Sequence, residues 1–125
     1  MLVRKEERSM PMPELAQLLN EAKKDVREIG PADLKHMQQS GDEFILIDVR
    51  EPEEVSRGTI ANAIPIPRGL VEVKIDGVTT DKDKKLVLYC AGGVRSLLAG
   101  WMLAKMGFRN VISLAGGYNG WMKSQ

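Results

Sequence analysis

Two hydrophobic periods alternate along the chain. From Pro13 to Lys24, the apolar residues Leu15, Leu18, Leu19 and Ala22 recur at i, i+3, i+4 and i+7, which is one face of an α-helix with a proline near its start. Val26 and Ile29 predict a short strand. Pro31-Ala-Asp33 then opens a second helix through Leu34 and Met37 that stops before Gly41. Phe44-Ile-Leu-Ile-Asp-Val49 is an unbroken apolar, β-rich run, the pattern of a strand covered on both faces, and it ends among charged residues at Asp48 and Arg50. Glu51 to Val55 reads as a short helical turn. Ile60, Ala63, Ile64 and Ile66, punctuated by Pro65 and Pro67, predict a short edge strand. No element is predicted from Arg68 to Lys85. Leu86-Val-Leu-Tyr89 is the second strong strand, and Val94 to Met106 a mostly apolar helix ended by Gly107. Val111-Ile-Ser-Leu114 is a further strand, and Tyr118 to Lys123 a closing helix after Gly116-Gly117.

Strands that alternate with helices imply an α/β fold with a mainly parallel sheet and helices on both faces. The 125 residues suit one domain with one core, free of repeats or low-complexity tracts. The first eight residues, rich in Arg, Lys and Glu, are read as disordered and set apart from that domain.

Charge adds mainly exclusions. With 18 basic and 17 acidic side chains intermixed, no net field favours nucleic acid or an anionic membrane, so an anion site must be built locally. No run approaches the roughly 20 apolar residues that span a bilayer, and the charged start lacks the apolar stretch of a secretory signal, so a cytoplasmic location is expected. A single cysteine, Cys90, excludes an internal disulfide framework. With His36 the sole histidine, itself read as a solvated helix residue, no zinc ligand set can be assembled, and neither metal nor cofactor is expected.

The informative stretch is Leu86-Val-Leu-Tyr-Cys90-Ala-Gly-Gly-Val-Arg95-Ser96, where a buried strand runs through a glycine-bearing loop into a helix. Open α/β sheets bind ligands outside the carboxyl ends of their strands, and Cys90 sits at such an end. The helix beyond it aims unpaired amides and its positive dipole end back at the loop, and both favour a thiolate. Gly92 and Gly93 let successive amides curl into a cradle, and Arg95 supplies a permanently charged fork for an oxyanion or for the sulfur anion itself. A cysteine ending a buried strand is ordinary core material; two glycines and an arginine directly after it are not.

Cys90-Ala-Gly-Gly-Val-Arg95 resembles the C-x-x-G-x-R loop of the rhodanese family. Two further segments agree. Asp48-Val-Arg-Glu-Pro-Glu-Glu54 is similar to the family's D-V-R-x-x-x-E run, with Ile64-Pro-Ile-Pro67 as its short apolar-proline strand. Gly107-Phe-Arg-Asn-Val111, Leu114-Ala-Gly-Gly117 and Trp121 are similar to its closing strand and glycine pair. The resemblance covers about residues 25–125 and implies a three-layer α/β/α rhodanese-like domain with a mainly parallel five-stranded sheet. Residues 1–24 form an N-terminal extension, whose helix is left open either to pack on the sheet or to meet a partner.

The resemblance further implies a sulfurtransferase that takes a sulfane sulfur from a donor such as thiosulfate onto Cys90 as a persulfide and passes it to a thiol or cyanide. Ala91, Gly92, Gly93, Val94 and Arg95 cradle that sulfur. Asp48 is expected to bond to the loop or to Arg95, Arg68 to reach the cleft from its rim, and Arg50 to pair with Glu54 to fix the turn. Trp101 and Trp121 are taken as core anchors. The expected partners are a small sulfur-donor anion and a thiol acceptor, either of which a protein could supply. Gly58-Thr-Ile-Ala-Asn-Ala63 departs from the family's G-H-I…G-A segment. The alternatives are a persulfide carrier with little thiosulfate turnover, a non-catalytic rhodanese-like binding module, and a cysteine phosphatase, whose loop has five residues between Cys and Arg where this chain has four.

Overall fold

The computed structural model describes residues 14–125. In chain order the elements are α1 (Leu15–Ala22), β1 (Arg27–Ile29), α2 (Pro31–Gln39), β2 (Ile45–Asp48), α3 (Pro52–Val55) and β3 (Ile64–Pro65). A 3₁₀ turn (Arg68–Leu70), α4 (Val71–Lys74) and a second 3₁₀ turn (Ile75–Gly77) follow, then β4 (Leu86–Tyr89), α5 (Val94–Lys105), β5 (Val111–Leu114) and α6 (Gly117–Ser124). The expected disordered start and Pro13 lie outside the described residues.

The five strands form one sheet in the order β1-β5-β4-β2-β3, and every neighbouring pair is parallel. The unbroken apolar runs explain the burial, because side chains alternate across a strand and both faces here need apolar cover. Ile47, Val49, Leu86, Leu88 and Cys90 point into one core with Ala22, Val71, Leu97 and Leu103; Leu46, Val87, Tyr89 and Leu114 point into the other with Leu34, Ile60 and Trp121. Helices α1, α4 and α5 supply the first layer, and α2 and α6, packed on each other, supply the second. The three-layer α/β/α expectation is met.

The N-terminal helix packs on α5 and buries Ala22 fully, so it belongs to the same core; Leu15, expected on its inner face, is 53% exposed. Trp121 anchors the second core, whereas Trp101 is only half-buried at the edge of the first, under Lys105. Between Arg68 and Lys85, where no element was predicted, the chain makes a run of helical turns that buries Val71 and Ile75 completely. Val71-Glu-Val-Lys74 alternates apolar and polar residues like a strand, and only the i, i+4 spacing of Val71 and Ile75 pointed to a helix.

One glycine locks the end of the central strand. Gly117 has φ +55°, and a Cβ there would lie 2.4 Å from the Cys90 carbonyl oxygen and 2.6 Å from that of Ala91. This closeness lets α6 start directly against β4, so that the amides of Tyr118 and Asn119 donate to the Cys90 and Ala91 carbonyls at 2.7 and 3.1 Å. Gly117→Ala should therefore cost at least about 3 kcal/mol, through a clash plus left-handed backbone strain. Gly92→Ala, with open space around its Cβ position, should cost far less. Urea-unfolding midpoints of the two variants compare these directly.

Candidate active site

Cys90 follows β4 with its thiol 1% exposed, at the carboxyl end of the sheet. The loop after it turns so that its amides face the sulfur: Gly93 N–H donates to Sγ at 3.1 Å and Ser96 N–H at 3.4 Å. Gly93, at φ +106°, is the N-cap of α5, so the free amides of the helix's first turn close over the thiol. A side chain at Gly93 would meet the Leu114–Gly116 backbone within 3.4–3.8 Å. Burial pushes the Cys90 thiol up, but the Ser96 hydroxyl and the amides of Ser96, Gly93 and Gly92 together outweigh it, leaving the thiol below its ordinary range.

Ser96 also contributes, a residue to which the sequence pattern assigns no role. It is fully buried one turn into α5, its hydroxyl 3.5 Å from Cys90 Sγ and 2.8 Å from Ser113 Oγ on β5. Its position directly after Arg95 placed it within reach of the loop; its inward orientation needed the packed helix.

The charges pair differently from expectation. Arg50 was expected to pair with Glu54. Instead Arg50 turns back on Asp48, giving Nη2–Oδ2 at 2.8 Å and Nε–Oδ1 at 3.0 Å, while the Arg50 amide also donates to Oδ1. Asp48 is fully buried and Arg50 nearly so, and a buried carboxylate takes the cation that the turning chain brings back two residues later. The guanidinium then stacks on Tyr118 at 4.2 Å and donates to the Gly58 carbonyl. Asp48, expected to bond the loop or Arg95, is thus engaged by Arg50.

Glu54, freed from Arg50, takes Arg95 in a two-point clasp, with Nη1–Oε1 at 2.7 Å and Nη2–Oε2 at 2.9 Å. This bond holds the Glu54 carboxyl down at about 2, and it raises Arg95 further above its usual range, with Cys90 acting in the same direction. Glu54 also caps α3, accepting the Glu51 amide at 3.0 Å, so one side chain ties α3 to the start of α5. Arg68 is placed elsewhere: its guanidinium bonds Glu72 at 2.7 Å, and among the described residues it makes no bond to the loop. His36 is exposed on α2, as expected. A hollow of about 560 Å³ between Pro52, Val55, Pro67, Leu70 and Lys74 opens beside α3, and Cys90 does not line it.

An all-parallel α/β sheet whose central strand ends in a buried cysteine, faced by inward amides and followed after four intervening residues by an arginine, defines a class of cysteine-loop domains. The chain belongs to the rhodanese family: the model of the Rhodanese-like domain matches residues 30–124. It is similar to "Putative sulfurtransferase YtwF" of Bacillus subtilis, 39% identical over 78% of this chain and 91% of that protein. It is also similar to a sulfurtransferase of Allochromatium vinosum, 31% identical over 78% and 90%. Among solved structures, a Rhodopseudomonas palustris protein described as of unknown function, "Possible Tyrosine Phosphatase", superposes with a TM-score of 0.81 at 31% identity, over 93% of this chain and 96% of that one. The human single-domain sulfurtransferase TSTD1 does so at 0.71 and 25%, over 80% and 98%. At the level of its family, the chain is a sulfurtransferase.

Two outcomes follow from the pairing. Because the Glu54 carboxyl is depressed in the folded state from an ordinary 4.5 to about 2, its contribution to stability is complete above 4.5 and is lost as the pH falls towards 2. Acid titration of unfolding free energy should show a shallower decline in that window for Glu54→Gln. Asp48→Ala, which strands a buried guanidinium, should cost about 3–5 kcal/mol in denaturant melts. It should leave the alkylation rate of Cys90 per folded molecule close to that of the parent.

Proposed function

We propose that this protein moves a sulfane sulfur from a donor to an acceptor through a persulfide on Cys90. The observation that carries the reading is the ring of donors converging on the sulfur: the amides of Gly93 and Ser96 and the Ser96 hydroxyl, with Arg95 behind them. Such a ring stabilises an anion on sulfur, which supports attack by the Cys90 thiolate without a general base in the cradle.

With thiosulfate as donor, the Cys90 thiolate attacks the outer sulfur, a new S–S bond forms, the donor's S–S bond breaks, and sulfite leaves with the electron pair. An acceptor thiolate or cyanide then attacks the terminal sulfur of the persulfide and expels the Cys90 thiolate, completing a ping-pong cycle with no net proton or redox requirement. Ala91, Gly92, Gly93 and Val94 line the cradle for the transferred sulfur. Since Glu54 occupies both Nη atoms of Arg95, the arginine is assigned to steadying the sulfur anion rather than to gripping a donor oxyanion with its fork. Asp48 acts through the Arg50 stack, and Arg68 is assigned to the rim with Glu72. A persulfide on another protein's cysteine can serve as donor by the same two steps, which makes the chain a relay when thiosulfate turnover is weak.

The description attached to the R. palustris structure raises phosphatase chemistry as a second reading. The four-residue Cys90–Arg95 interval argues against it, since the smaller ring suits one sulfur better than a tetrahedral phosphate. Hydrolysis of an aryl phosphate at rates comparable to sulfur transfer would reverse that judgement.

Intact-protein mass spectrometry after exposure to thiosulfate or to a low-molecular-weight persulfide tests the mechanism. A gain of one sulfur atom is expected, discharged by cyanide or a thiol and missing in Cys90→Ser. No gain from any donor would sink it. Arg95→Ala should slow both half-reactions by about 10- to 100-fold while leaving a folded domain.

A further inference from the structure

Beneath the cysteine the Ser96 hydroxyl meets a second buried hydroxyl, that of Ser113, which the persulfide mechanism above does not use. Ser113 occupies the centre of β5, fully buried, in register beside Leu88 of β4. A polar residue in the middle of an otherwise apolar buried strand, Val111-Ile-Ser-Leu114, carries a desolvation cost that its hydrogen bonding must offset. Its hydroxyl has one partner among the described residues, Ser96 Oγ at 2.8 Å.

Counting protons and acceptors sets the direction of that bond. Each serine hydroxyl carries one hydrogen. Ser96 Oγ has three acceptors within reach: Ser113 Oγ at 2.8 Å, the Gly93 carbonyl at 3.3 Å and Cys90 Sγ at 3.5 Å. Ser113 Oγ has Ser96 Oγ alone. If Ser96 donated to Ser113, the Ser113 hydrogen would be buried with no acceptor, at a cost of about 1–3 kcal/mol. If Ser113 donates to Ser96, both hydrogens are placed, and the Ser96 hydrogen is released for the sulfur or the Gly93 carbonyl. A thiolate wins that choice, because a bond to a charged acceptor is roughly twice as strong as one to a neutral carbonyl.

We propose that Ser113 is a positioning residue for Cys90: it donates to Ser96 Oγ and so commits the Ser96 hydroxyl to the cysteine sulfur when that sulfur is anionic. This deepens, and rests on, the assignment of Cys90 as the sulfur-bearing group. The chain Ser113→Ser96→Cys90 polarises along its length and links the thiol to the neighbouring strand of the sheet. It does so from below, leaving the open side of the cradle to donor and acceptor.

The readout is the pH dependence of Cys90 alkylation by iodoacetamide, which reports thiolate fraction without requiring any sulfur transfer. The charged groups around the cradle are Arg95 of α5 and Glu54 of α3, the Asp48–Arg50 pair at the end of β2, and Lys23 and Glu28, which border the outer side of Gly92 and Gly93. The ring of Tyr118 of α6 lies against Arg50. Ser113→Ala alters none of them, so a displaced profile reports the hydroxyl chain.

Ser113→Ala should move the alkylation midpoint upward by about half a pH unit, roughly threefold less thiolate below the midpoint. Ser96→Ala should move it by about one unit. In the Ser96→Ala background, Ser113→Ala should add nothing, and Ser113→Thr, which keeps the hydroxyl in a strand that tolerates β-branching, should restore the parent profile. An unmoved profile in Ser113→Ala overturns the proposal, as does an equal shift in both backgrounds. A parent protein that gains no sulfur from any donor while showing this coupling would overturn the sulfur-transfer reading and leave the hydroxyl chain standing. Normal persulfide formation without the coupling does the reverse.

Discussion

The bond from the Tyr118 amide to the Cys90 carbonyl, 2.7 Å long, is the contact on which the site depends. It exists because Gly117 has no side chain, and it brings the start of α6 against the last residue of the central strand. The Cys90 and Ala91 carbonyls are held from that side, while the amides of Gly93 and Ser96 face the sulfur. The sheet supplies rigidity, the glycine supplies closeness, and the helix that follows supplies unpaired donors. A thiol 1% exposed would ordinarily be raised and inert; here the donors more than offset the desolvation.

Around that ring, two arginines and two carboxylates are sorted by burial. The fully buried Asp48 takes Arg50, whose guanidinium is completed by a tyrosine face and a backbone carbonyl, as a desolvated cation requires. The partly exposed Glu54 takes Arg95 and in the same act caps its own short helix. The first pair fixes the turn after β2 against Gly58 and Tyr118, and the second ties α3 to the start of α5. The expected arrangement, with Arg50 on Glu54 and Asp48 on the loop or Arg95, would bring the cation for buried Asp48 from another element, whereas Arg50 reaches it from two residues along the same turn.

Much of the architecture was legible because the apolar runs are long and unambiguous. Phe44–Val49 and Leu86–Tyr89 could only be strands buried on both faces, and the glycines at 41 and 107 closed helices where expected. The stretch after Arg68 was missed, because its alternating valines carry the strand period while its burial follows the helical one. Cys90, Arg95 and the intervening residues announced themselves as a loop, since glycines and an arginine are poor packing material between a buried strand and a helix. Ser96 and Ser113 gave no such notice, a serine in a helix and a serine in a strand being ordinary, while Glu54 stood out but with Arg50 rather than Arg95 as its expected partner.

By itself, then, the order of residues determined the alternation of strands and helices, the parallel sheet they must form, and the reactive position at the end of its central strand, because these follow from local periodicity and from residue types that have no other use there. Which carboxylate serves which arginine, and which hydroxyls stand beneath the sulfur, only the tertiary structure decided. Those partners lie 17 to 41 residues apart for Ser96–Ser113 and Glu54–Arg95, and their choice follows from relative burial after the elements have packed, a quantity that no local spacing encodes.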